Sequence, residues 1–112
     1  MEVEVNGDTY EVDVAETVFE RMKGLSFCGE GKMLFVFPWN TRARIDMMFL
    51  SKPLHLYFMN ADREVISVQR AEPWTKNPRT WKLYSPDKPY RYLLESFEQL
   101  GLEQGDRLKF DL

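Results

Sequence analysis

The chain carries almost nothing for disulfide or metal chemistry. Its 112 residues include one cysteine, Cys28, and one histidine, His55. A lone cysteine excludes an intramolecular disulfide framework, and a lone histidine leaves little for a zinc site. No metal and no cofactor is expected. Long hydrophobic runs are missing too. The longest, Met33 to Phe37, has five residues, against the roughly 20 that a membrane-crossing helix needs. No membrane partner is expected. There is no excess of basic charge: 15 Lys and Arg stand against 18 Asp and Glu, a net charge of −3. Without a global basic field, nucleic acid is not an expected partner. Met1-Glu2-Val3-Glu4-Val5 has neither the basic start nor the apolar core of a signal peptide. A soluble, cytoplasmic, single domain spanning residues 1–112 is the expectation.

What is present is globular: 44% apolar residues and 29% charged ones support one buried core. Val3 and Val5 alternate with Glu2 and Glu4, and Tyr10, Val12 and Val14 alternate with Glu11 and Asp13, on either side of Asn6-Gly7. Two alternating runs around a pair that tolerates positive φ predict a β-hairpin with one apolar and one acidic face. Thr17-Val18-Phe19-Glu20 has capping-box spacing, and Gly24 suits a helix end, so a short helix follows. Met33-Leu34-Phe35-Val36-Phe37 predicts a strand covered on both faces and closed by Pro38. Residues 43–50 alternate well enough to predict another strand, and residues 54–59 and 64–69 form a second hairpin around Asn60-Ala61-Asp62-Arg63. Four of the six prolines, Pro73, Pro78, Pro86 and Pro89, fall within residues 71–89. That segment reads as an extended excursion with a short strand at 80–84. A strand at 91–95, a short helix around 97–100 and a last strand at 107–110 complete the chain. The fold class is mainly β (α+β): a compact antiparallel sheet, barrel-like or folded, with one or two short helices.

With these segments laid out, the chain resembles the DUF192 family of small prokaryotic domains, which has no established function. The likeness rests on residues 15–25, on Gly31-Lys32-Met33-Leu34-Phe35-Val36-Phe37, on Pro53-Leu54 with Phe58 and Glu64-Val65-Ile66, and on Tyr90 to Glu95 with Gly101 and Gly105-Asp106. It implies a single mainly-β domain with short helices. The chain departs from the family where members usually carry Trp-Met-x-Asn-Thr before Pro-Leu and an Asp after it. Here Asp46-Met47-Met48-Phe49-Leu50 occupies that stretch and His55 replaces the Asp.

Three sets of residues are candidates for chemistry. Cys28 and His55 are the only pair able to make a thiol nucleophile with its base, though no spacing links them. Asp46 and Glu95 are the available carboxylate pair for general acid–base work of a hydrolase type. The bland alternative is that Asp46 sits on a polar face and pairs with Arg44 or another basic side chain. Charge and aromatics give the clearest asymmetry. Residues 1–30 hold eight acids and two bases, whereas residues 70–91 hold six bases and two acids together with Trp74, Trp81, Tyr84 and Tyr90. Aromatic faces among cations suit a sugar-like or polar small ligand. The competing reading folds the tryptophans inward to close the core. The expectation is therefore a non-catalytic binding module using Trp39, Arg42, Arg44, Trp74, Trp81 and Tyr84. A small enzyme using Asp46, His55 or Glu95, and a structural or partner-interaction protein, are the alternatives. A monomer or weak homodimer is the expected state.

Overall fold

Asn6 (φ 49°) and Gly7 (φ 88°) both take left-handed backbone, which sets a two-residue primed turn between β1 (Glu2–Val5) and β2 (Asp8–Glu11). The pairing Val5↔Asp8 leaves only those two residues in the loop. The computed structural model describes residues 1–17, 20–21, 24–25 and 30–112. Beyond β2 the chain changes sheet. β3 (Asp13–Ala15) runs parallel to β4 (Lys32–Thr41) rather than extending the hairpin, so Val14 pairs with Leu34.

Two open sheets result among the described residues. β1 lies between β2 and β8 (Leu108–Lys109). The larger sheet has the order β3-β4-β7-β5-β6, where β5 is Leu54–Met59, β6 Val65–Ala71 and β7 Tyr90–Ser96. A mainly-β fold is what the sequence predicts, and of its two expected forms the folded sheets stand. The barrel does not close, because β3 and β6 remain as edges of the large sheet.

Each face of the large sheet carries its own core. Leu34, Tyr57, Met59 and Leu94 pack against Val3, Val5, Leu108 and Phe110 of the small sheet and its flanks. Phe35, Leu54, Leu56, Phe58 and Leu93 point the other way, against Met47, Leu50 and Tyr90. That two-sided cover explains why β5 is apolar almost throughout instead of alternating. A truncation such as Leu56→Ala at the fully buried Leu56 costs about 2–5 kcal/mol by the usual cavity penalty.

Four local predictions need correction. Pro38 does not end its strand, because the β4–β7 register shifts between Val36 and Thr41, and a bulge relieves proline of a ladder hydrogen bond. Residues 43–50 are not a strand: only Ile45 bridges Tyr84, and the Asp46 carboxylate accepts the Met48 N–H at 3.0 Å, turning the chain. Residues 97–100 are not a helix, since the Ser96 hydroxyl takes the Glu98 N–H at 3.1 Å and the Tyr57 hydroxyl takes that of Leu100 at 2.9 Å. Residues 80–84 give one bridge and a 3₁₀ turn at Pro78–Thr80 in place of a strand. The capping box does form: the Thr17 hydroxyl accepts the Glu20 N–H at 3.1 Å, and the Glu20 carboxylate accepts the Thr17 N–H at 3.0 Å. The remainder of the expected helix, at residues 18–19 and 22–23, lies outside the described residues.

Candidate functional site

Two irregular segments, 43–50 and 72–84, cover the second core and meet each other over it. Tyr90, wedged edge-on against Phe37 and Phe58, donates its hydroxyl to the Ala43 carbonyl at 2.8 Å and anchors the first segment. Ile45 and Tyr84 exchange both backbone hydrogen bonds, at 2.8 and 2.9 Å, and the Trp74 N–H reaches the Met47 carbonyl at 3.3 Å. The turn at Asp46 carries Phe49 into left-handed backbone, φ 63°, a conformation that a bulky side chain rarely adopts. Phe49 is 60% exposed and Met48 stands beside it, also exposed.

The second segment is braced by its own polar side chains. The Thr80 hydroxyl accepts the Thr75 N–H at 2.8 Å and donates to the Asn77 carbonyl at 2.8 Å, while the Asn77 side chain caps Arg79 N–H at 3.0 Å. Within this frame the Trp74 indole N–H donates to the Lys82 carbonyl and the Trp81 indole N–H to the Thr75 carbonyl, each at 2.8 Å. The rings stack with centroids 6.0 Å apart and planes 28° from parallel. Trp74 is half-buried and Trp81 is 53% exposed. With both N–H groups already satisfied by backbone, the rings offer apolar surface rather than donors. Between the segments runs an open groove of about 680 Å³ lined by Met48, Phe49, Leu50, Trp74, Thr75, Lys76 and Trp81.

The candidate residues separate into distinct places. Trp74 and Trp81 line this groove; Trp39, Arg42, Arg44 and Tyr84 do not. Trp39 is 70% exposed on β4. Arg42 donates to the Asp87 carbonyl at 3.4 Å, beside a second, more polar groove of about 530 Å³ between β6 and the Pro86–Pro89 stretch. Arg44 is exposed, and among the described residues no ion pair joins it to Asp46. The Tyr84 ring packs on the core and its hydroxyl accepts the Glu72 N–H at 3.1 Å, a bracing role.

Glu95 sits on the inner face of β7, opposite Met33 and Leu56, and is only 4% exposed. Burial pushes its carboxyl up to about 8, and the negative charge of Asp46 adds to the rise. Its Oε1 is close enough that a Cβ on Gly24 would stand 3.5 Å away. Asp46 and Glu95 are thus brought within electrostatic reach, one exposed and the other enclosed. His55 is not with them. It lies opposite Ser96, and alternation along β5 turns it to the face away from Leu56 and Glu95. Cys28 lies outside the described residues.

The groove's other wall, Met48-Phe49-Leu50, is absent from the sequence-based candidates. Its one local signal is Asp46 two residues ahead of Met48, a turn-forming spacing inside an otherwise apolar stretch.

The DUF192 family, described as Uncharacterized ACR, matches residues 1–110. The chain belongs to that family. Among curated members, the UPF0127 protein of Thermococcus sibiricus is 29% identical over 112 residues, covering 93% of this chain and 68% of its own length. The UPF0127 protein of Thermococcus gammatolerans is 29% identical over 110 residues, covering 90% of this chain and 67% of its own. A crystal structure of a protein of unknown function from Novosphingobium aromaticivorans superposes with a TM-score of 0.82 at 24% identity, over 97% of this chain and 84% of that one. The latter likeness speaks to this DUF192 domain's fold alone. No helix among the described residues is long and apolar enough to cross a membrane.

Proposed function

We propose that this DUF192 domain is a non-catalytic binding module for a small ligand with one flat, C–H-rich face, such as a sugar ring presents. The observation that carries the reading is the stacked pair Trp74 and Trp81, tied by their N–H groups and left open along a groove. Ring faces of that kind recognise shape and C–H surface, and fixing them beforehand lowers the entropic cost of binding. The ligand's polar edge would face water and the Lys76 side of the groove. Intrinsic tryptophan emission tests this in a Trp39→Phe background, which removes the exposed indole that lies elsewhere. Titration with monosaccharides and ring-bearing acids is expected to give a saturable change that Trp81→Ala abolishes. No change with any of them would overturn the reading.

Glu95 favours a second reading, a small hydrolase. A buried carboxyl pushed up to about 8, with a second carboxyl group in electrostatic reach, is the usual equipment of a general acid with its partner. Cleavage of nitrophenyl glycosides or esters, lost in Glu95→Gln while the fold persists, is the outcome this reading requires.

A further inference from the structure

Charge around the groove is one-sided. Among the described residues, Lys76 is the only charged side chain lining it, and the exposed Arg79 and Lys82 lie on the same segment. None of the ion pairs among the described residues uses Lys76, Arg79 or Lys82. The nearby acids are otherwise engaged: Glu72 pairs with Arg70, and Asp46 turns an oxygen onto the Met48 N–H. The two indole N–H groups are consumed by backbone carbonyls, and the Thr75 hydroxyl shares a hydrogen bond of 3.2 Å with that of Thr80. The groove therefore offers broad apolar faces, few neutral hydrogen-bonding groups and one unpaired cation. A neutral ring would use the apolar faces alone and leave the Lys76 ammonium without a counter-charge. A ring with a single anionic group meets every feature: its face lies on the indoles, its rim on Met48 and Phe49, and its charge on Lys76.

We infer that the occupant of this groove is a ring-bearing carboxylate, its ring held by Trp81 and Trp74 and its carboxylate paired with Lys76. The inference rests on the binding-module reading and narrows it to acids. Two sources share this chemistry, a sugar acid and an aromatic acid.

The experiment compares two matched pairs by tryptophan emission in the Trp39→Phe protein: glucuronate with glucose, and benzoate with benzyl alcohol. At least one acid is expected to bind tenfold or more tightly than its neutral counterpart. Lys76→Gln is expected to bring the acid's affinity down to that of its neutral counterpart in the same variant, and 0.5 M salt to weaken the acid selectively. The acid that responds identifies the ring as saccharide or aromatic. If neither acid binds more tightly than its neutral counterpart, or if the preference survives in Lys76→Gln, the inference is overturned and the binding module stands. Silence from all four compounds overturns both.

Discussion

Replacing Glu95 by glutamine keeps the size of a buried side chain and removes its titration. In the folded protein burial and the Asp46 charge lift this carboxyl from 4.5 to about 8, whereas in the unfolded chain it titrates normally. Between those two values the folded state holds a proton that the unfolded state has released. Stability therefore falls as pH rises, by about 1.4 kcal/mol per pH unit for one proton. The loss amounts to about 3 kcal/mol at pH 7 and about 5 kcal/mol well above pH 8, a large share of the 5–15 kcal/mol typical of a domain. Well below pH 4.5 both states are protonated and no loss remains. Urea unfolding of the wild type and Glu95→Gln, at intervals from pH 5 to pH 8.5, measures it directly. Other titrating groups are common to both proteins and cancel in the difference. The stability of Glu95→Gln relative to wild type is expected to rise by about 3 to 4 kcal/mol from pH 5 to pH 8. A difference that stays flat across this range would refute a protonated Glu95, and with it the acid role in the hydrolase reading. Asp46→Asn supplies an internal control, since removing its charge should end the descending limb at a lower pH and shrink the total loss without abolishing it.

Gly24→Ala is expected to lose roughly 2–3 kcal/mol, because at φ +51° its Cβ would stand 2.9 Å from the Phe35 ring. Gly7→Ala has open space around its Cβ at φ +88°, so only the backbone cost of roughly 1 kcal/mol applies; urea midpoints compare the two. Phe49→Gly should be neutral or stabilising by about 1 kcal/mol through relief of left-handed backbone, yet weaken ligand binding by removing a groove wall. Tyr84→Phe should lose about 1 kcal/mol with the hydrogen bond from Glu72, read in the same unfolding assay.

Features governed by neighbours in sequence were legible. Asn6-Gly7 dictates its own turn, Thr17 and Glu20 their own cap, and the unbroken run from Met33 to Phe37 its own burial. The failures share a cause. At 43–50 the spacing of Ile45 and Met47 imitates a strand, but a strand needs a ladder, and Asp46 gives the backbone a local partner instead. At 97–100 the Ser96 hydroxyl does the same. The parallel pairing of β3 with β4 carries no local mark at all. The groove was half legible: proline spacing marks the segment of Trp74 and Trp81, while their juxtaposition with Phe49 joins residues 25 and 32 positions apart in sequence. Trp39, Arg42 and Arg44 looked equally suited by composition, and only β4's course carries them to a different surface.

The exchange of hydrogen bonds between Ile45 and Tyr84 has a kinetic corollary. Because it joins the two segments, swinging one aside like a jaw while the other stays still would first have to break this pair. A guest molecule would come and go sideways along an already open trough, with no hinge to wait for. Association should then be a single concentration-dependent phase, and crowding the trough's mouth would slow arrival and departure alike.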